Sequence, residues 1–439
     1  MISTTSNANS STNTVLVPVD DLQVGAICRT PIEDEMGRLL LGTGTRITNE
    51  VIDGLRERGI EELTVNADEA DALSNRGKSG AAKAKPKNTR EKEASHVPGR
   101  DPTKWIKGVP LKDALVNRHH EPIDLTRRRT LQGHVKMARS KFEEIRLALT
   151  ERKMQTVEAL SDLSGAFASA MVDDHDQTVG EVVACNTEMS LTDRSVKLGV
   201  LGMAIGTELD LDGPSVLEIG MAGLLHDIGL YSMDPAFSVP GRGAFSEEET
   251  WEYRKHPVVS ANSLREVSDI PHSVLLAIEQ VHEQYNGAGY PFGLEGKRIH
   301  IYARILNVCD TYLRLTLGTG FRKALVPHDA LGFILHQARY GSFDPQVIHA
   351  LLRTKSLFPL GSRVELANGK WADVIRRPVE GYACPVLQLS DGERFDMQEN
   401  PDEVVQPTCD PQRNQGRLSI DAMKNIRWNP ADELFFDEE

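Results

Sequence analysis

The sequence predicts a mainly α protein: a helical bundle with a small α+β domain before it and a small β barrel or sheet after it. Three observations carry this. From about 102 to 355, apolar residues recur at three- and four-residue steps. Residues 14–66 and 356–408 break instead into short alternating runs between glycine turns. Between 67 and 101 apolar side chains nearly vanish, which separates the first unit from the rest.

The elements follow in order. Residues 1–13 are a Ser/Thr/Asn-rich tail with neither the basic start nor the apolar stretch of a signal peptide. VLVPVDDL alternates as a strand, and DEMGRLLLGTG turns at Gly37. TNEVIDGLRERG is a helix capped by Thr48 or Asn49 and stopped by Gly59, and IEELTV closes the unit as a strand. No catalytic cluster lies here, so 14–66 is expected to be a regulatory or interaction module. Residues 67–101 form a flexible basic linker, with eight Lys or Arg against Glu91 and Glu93 between Arg76 and Arg100.

The helical region starts with a long apolar-periodic run reaching Gly165. Further helices are predicted over 180–209, 215–229, 247–267, 271–284, 298–316 and 328–353. After 356, SRVELANGKWADVIRR and YACPVLQLSDGERFD carry Asn-Gly and Asp-Gly hairpin signals. Residues 409–439 are an acidic tail, expected to be mobile.

Hydrophobic residues make up 40% and charged residues 26%, so a real core can form. The net charge of -14, from 50 basic and 64 acidic residues, excludes a general polyanion binder. Cys28, Cys185, Cys309, Cys384 and Cys409 lack CxxC spacing and read as the reduced thiols of a cytoplasmic protein. No apolar run reaches the roughly 18 residues that membrane insertion needs.

Chemistry concentrates in the helical region. GLLHDIG places His226 and Asp227 at the end of an apolar helix, and His256, His282 and Asp310 follow at intervals long enough to bring in further helices. Imidazole nitrogen and carboxylate oxygen together suit Fe, Mn or Zn, and the two oxygens of Asp227 can serve two ions. Directly after His282, NGAGYP supplies Gly287, Gly289, Tyr290 and Pro291, a turn whose backbone can approach a ligand closely. Other polar clusters take plain readings. DDHD at 173–176 is expected to be a solvated turn. Arg127, Arg128 and Arg129 with His119 and His120 are expected at an exposed helix start. Trp251 and Tyr253 are expected to pack.

LLHDIG, KHP at 255–257, HEQYNGAGYPFGLEGKRI, ARILNVCDTY, FRKA and SFDP at 342–345 occur in an order that resembles the HD-GYP family of HD metal-dependent phosphohydrolases. The resemblance covers about 180–355, and 14–66 is similar to the small domain that often precedes such domains. It implies an HD-type helical bundle binding divalent metal, Fe or Mn foremost, that hydrolyses cyclic di-GMP or a related dinucleotide. By the same resemblance, His226, Asp227 and Asp310 would serve one ion, and Asp227, His256 and His282 another. Gly287, Gly289, Tyr290 and Pro291 would shape the signature loop, and Arg322 would lie near substrate phosphate. The loop also suggests a diguanylate-cyclase partner; a homodimer is one assembly left open.

Several positions depart from the family pattern. Arg194 stands where the first ligand His is usual, and Ser190 near the place of a carboxylate. Leu230 replaces a Lys, Val281 a His, Asn286 an Asp and Thr319 an Arg. A guanidinium about 5 Å from a divalent ion repels it by about 6–7 kcal/mol at an effective dielectric near 20. Arg194 could instead pair with Asp227 or Asp310 and leave a metal-free core, or swing outward. Three protein ligands plus water remain a normal open site, so Asp227, His256 and His282 are the expected survivors. Reduced or lost hydrolysis is the expectation; the alternative is an inactive nucleotide- or protein-binding regulatory module.

Overall fold

In the computed structural model, the described residues are 14–66 with short breaks, Leu73, and 107–425 except 152, 154–157, 184–189, 239–244, 318–322, 401–404 and 411–414. The tail 1–13, nearly all of the linker, Gly37, Asn49, Gly59, Cys185, Thr319, Arg322 and residues 426–439 lie outside them. The chain divides into two compact units, Met1–Ala94 and Ser95–Glu439.

In the first unit, β1 (Thr14–Pro18) pairs antiparallel with β4 (Glu62–Asn66), and β2 (Ile32–Glu33) with β3 (Leu39–Leu41). The inward alternation Val17, Leu63, Val65 meets Ile32, Ile47 and Leu55 in a separate core. Thr48 Oγ1 accepts from the Val51 amide at 3.3 Å, the bond expected of a helix N-cap.

The second unit is built on helices. They are α1 (Leu125–Thr150), α2 (Glu158–Asp173), α3 (His175–Val183), α4 (Leu191–Glu208), α5 (Gly213–Leu225), α6 (Glu247–Tyr253), α7 (His256–Leu264), α8 (His272–Glu279), α9 (Ile301–Leu315), α10 (Pro327–Ala338) and α11 (Pro345–Lys355). α4 is buried almost all round, which is why its sequence is apolar on every face. It meets α5 where Gly223 and Gly199 touch: a Cβ on Gly223 would lie 2.7 Å from the Gly199 Cα.

Punctuation corrects several predicted spans. The run 247–267 is two helices, because Pro257 opens α7 just after α6 ends at Tyr253. The run 328–353 is also two, divided at Gly341 (φ +76°) and restarted by the Asp344 cap. In 180–209 a Ser190–Asp193 capping box starts α4 afresh.

The C-terminal region is an open antiparallel sheet, order β10–β6–β7–β8–β9, from β6 (Arg363–Leu366), β7 (Trp371–Arg376), β8 (Val386–Leu389), β9 (Arg394–Asp396) and β10 (Val405–Pro407). Its hairpins turn at Gly369 and Gly392, both at positive φ, as the Asn-Gly and Asp-Gly pairs predict. The part of the tail up to 425 is docked rather than free. β11 (Gln415–Gly416) pairs parallel with β5 (Ala324–Leu325), and α12 (Ile420–Asn425) packs on α10. Arg417 holds it through Asp329 at 2.7 Å.

Two plain readings are overturned. Asp174, His175 and Asp176 are buried or nearly so; Asp174 binds Arg376, Asp176 binds Arg377, and His175 faces Asp176, so DDHD is no solvated turn. Arg127 and Arg128 are partners of Asp173, Asp174 and Glu181, so only Arg129 of that trio is exposed. Trp251 is 68% exposed, whereas Tyr253 packs as expected. Among the described residues, no helix is long and apolar enough to cross a membrane.

Candidate active site

The five ligand-type residues come from four places in the helical unit and meet in one buried pocket. α5 is apolar to its last turn, so it runs through the core and delivers His226 and Asp227 at its C-terminal end, both at most 1% exposed. Gly229 lets the chain turn there: a Cβ would fall 2.6 Å from the Ser260 amide nitrogen. Ser260 on α7 donates to the His226 carbonyl at 2.7 Å and accepts from the Gly229 amide at 2.9 Å, fastening α7 to the turn. His256 opens α7, His282 follows α8, and Asp310 lies on α9, all three buried.

Backbone partners set the imidazoles. His226 Nδ1 donates to the Gly223 carbonyl and His256 Nδ1 to the Tyr253 carbonyl, each at 2.8 Å. A carbonyl only accepts, so in the neutral rings both Nε2 atoms present lone pairs to the pocket. His256 Nε2 lies 3.0 Å from His282 Nε2 and 3.4 Å from Asp227 Oδ1. His282 Nδ1 faces Asp310 Oδ2 at 3.9 Å, an acceptor for its proton when Nε2 is used as a ligand. Burial pushes His256 down to about 4, and burial with the neighbouring His256 pushes His282 well down, so both are neutral at pH 7.

Arg194, from the first turn of α4, folds into this pocket. Its Nη2 donates to Asp227 Oδ2, and its Nε lies 3.9 Å from Asp310 Oδ1. Burial opposes charging of Asp227, but Arg194 and His226 outweigh it and hold the carboxyl well below the usual range. His226 Nε2 faces the same Oδ2 at 3.1 Å. Asp227 Oδ1, Asp310 Oδ1 and His226 Nε2 are buried without a hydrogen-bond partner among the described residues.

The signature loop covers the pocket. The Tyr290 ring stacks on His282, centroids 4.9 Å apart, and the Tyr290 amide donates to the His282 carbonyl at 3.1 Å. A Cβ on Gly289 would lie 2.2 Å from the Gln284 nitrogen, and Gly287 has φ +79°, so both glycines are required by the path of the chain. Pro291 follows in a cis peptide. Asn286 caps the loop: its Oδ1 accepts from the Ala288 amide and its Nδ2 donates to the Tyr340 carbonyl. The remaining departures are packing residues, Leu230 and Val281 both buried among apolar side chains.

Three contributors escaped the sequence reading. Buried Glu283 accepts from the amides of Phe292 (2.6 Å) and Leu294 (2.9 Å), tying the loop to the end of the His282 segment. Arg254 lies beside Tyr290, its Cζ 5.6 Å from the ring centroid. Arg314, one turn after Asp310 on α9, interacts electrostatically with Tyr253, Asp310 and Tyr290. An i, i+4 step from Asp310 and the place two residues before His256 were the available signals.

The HD domain family matches residues 179–347. The chain is 32% identical over 197 residues to a cyclic di-GMP phosphodiesterase of Pseudomonas aeruginosa, covering 44% of this chain and 46% of that protein. Residues 179–347 are thus an HD domain, similar to those of cyclic di-GMP phosphodiesterases. A second relative, the cyclic di-GMP phosphodiesterase PdeB of Borreliella burgdorferi, is 26% identical over 41% of this chain and 47% of its own length. The chain thus matches about half the length of these curated relatives. A solved HDG"Y"P protein of Bdellovibrio bacteriovorus aligns at 17% identity and TM-score 0.43, covering 77% of this chain and 98% of that one.

HD domains are metal-dependent, and the residues here fit an ion. Donor atoms of Asp227, His256 and His282 lie within 4.8 Å of one another, with lone pairs converging and Asp227 Oδ1 unpartnered.

Proposed function

We propose that this protein is a cytoplasmic cyclic di-GMP receptor on a metal-dependent phosphodiesterase scaffold, with hydrolysis reduced or lost. The observation that carries this is the convergence of Asp227, His256 and His282 beneath Tyr290 while Arg194 binds Asp227. An ion on those three residues would polarise a phosphodiester and supply its nucleophile. The chain's own residues would do the rest. Gly287 and Gly289 bring backbone close to the ligand, and Tyr290 shuts water out above His282. Arg254 and Arg314 offer positive charge beside Tyr290, whereas Leu230 supplies none. Arg322 is proposed as a further phosphate contact. Neither Leu230 nor Val281 can transfer a proton, which removes two groups from general acid–base work.

A second reading, an inactive regulatory module binding nucleotide or a diguanylate-cyclase partner, is favoured by the guanidinium on Asp227.

The full chain, supplied with Mn²⁺ or Fe²⁺, should bind cyclic di-GMP in calorimetry. It should turn it over roughly 100-fold or more below the enzymatic median of about 10 per second. Absence of binding to any cyclic dinucleotide overturns the proposal. Turnover at the median overturns its claim of weakened hydrolysis.

A further inference from the structure

The two oxygens of Asp227 face different neighbours. Oδ1 points to His256 Nε2 at 3.4 Å, which in turn lies 3.0 Å from His282 Nε2, and among the described residues nothing donates to Oδ1. Oδ2 is shared by His226 Nε2 at 3.1 Å and Arg194 Nη2. His226, Asp227 Oδ2 and Asp310 Oδ1 would by chemistry make a second nitrogen–oxygen donor set. The Arg194 guanidinium lies in it, with Nη2 on one carboxylate and Nε 3.9 Å from the other.

Charge points the same way. Asp227 and Asp310 bring two negative charges into the pocket; Arg194 and Arg314 bring two positive ones. The carboxylates are therefore already balanced before any ion arrives. One divalent ion gives the pocket a net charge of +2, which complements the two phosphodiester charges of a cyclic dinucleotide. A second would raise it to +4 around a guanidinium that cannot be deprotonated, because Arg stays charged in proteins.

We infer that Arg194 is a built-in replacement for a second metal ion, so that the pocket takes a single ion on Asp227, His256 and His282. This rests on the metal-site reading above. Arg194 is then a positioning residue: it holds Asp227 Oδ2 and leaves Oδ1 for the ion. It also explains how a largely buried Arg is tolerated in the first turn of α4, since both of its carboxylate neighbours need a counter-charge.

The test is metal stoichiometry rather than turnover. The full chain is stripped with chelator and titrated with Mn²⁺ alone, followed by calorimetry, elemental analysis after gel filtration, and the Mn²⁺ EPR spectrum. One ion per chain is expected, with an uncoupled six-line spectrum, and its affinity should fall at least 100-fold in His282→Ala. Arg194→Gln removes the charge and Arg194→His adds a ligand. Either should admit a second ion and give a spin-coupled spectrum, and the Gln variant keeps the test open if the His variant does not fold. Two ions on the wild-type chain overturn the inference while leaving the metal-site reading intact. No ion on any of the chains, Arg194→His included, overturns both.

Discussion

Two buried clusters of charge lie in the helical unit, and they differ in one respect. Around Asp174, Asp176 and Glu208 every carboxylate oxygen has a donor. Asp174 takes both terminal nitrogens of Arg376 at 2.5 and 3.0 Å, Asp176 takes the Arg377 Nε and amide, and Glu208 takes Arg377 and Lys112. Around Asp227 and Asp310, by contrast, two carboxylate oxygens, an imidazole nitrogen and the Tyr290 hydroxyl have none among the described residues. Burial alone therefore does not mark a ligand site. A buried network whose carboxylates are all satisfied joins parts of a fold, here β7 to the start of α3, although His175 Nε2 and Gln177 Oε1 beside it lack a partner among the described residues. A buried network left open on one side is shaped for something else to complete it.

The contrast can be broken most sharply at Arg376. Arg376→Ala leaves Asp174 as an uncompensated buried carboxylate and should destabilise the helical unit by about 3–5 kcal/mol in urea unfolding. Added Mn²⁺ should not restore the loss, because this network has no vacancy for a cation. Restoration by metal would erase the distinction between the two clusters.

A smaller effect concerns acid. Burial opposes ionisation of Glu208, but Arg377 and Lys112 outweigh it and bring its carboxyl down to about 2. A depressed folded pKa means the contribution is complete above the unfolded value near 4.5 and is lost as pH falls toward 2. Unfolding free energy should drop by roughly 3 kcal/mol across that interval. Glu208→Gln should flatten this acid limb, and an unchanged limb would show that the network is not saturated as described.

The smallest expected effect is at Trp251, which is exposed despite its size. Trp251→Ala should change stability by less than about 0.5 kcal/mol. A larger loss would mean that α6 packs through this ring after all.

The strings themselves carried much of this. Helical periodicity and the Asn-Gly and Asp-Gly hairpins are local properties, set within a few residues, and Gly289 is required where the loop passes so near Gln284 that a Cβ would fall 2.2 Å from its nitrogen. The four-part spacing of His226–Asp227, His256, His282 and Asp310 was likewise legible, because each interval is long enough to bring in another helix. DDHD was misread because the partners of Asp174 and Asp176, Arg376 and Arg377, lie some 200 residues away, and Arg127 and Arg128 because Asp173, Asp174 and Glu181 lie about 50 residues away. Nothing in a local window reports so distant a counter-charge.

Sequence by itself determined the periodicities, the turns and which residues could serve as ligands, since these follow from side-chain chemistry and chain geometry at short range. Only the tertiary structure decided which oxygen of Asp227 stays open, that Arg194 turns inward rather than to solvent, and that Arg314 joins it. A long guanidinium stem has several staggered directions of similar energy, and the choice among them is made by carboxylates delivered from other helices.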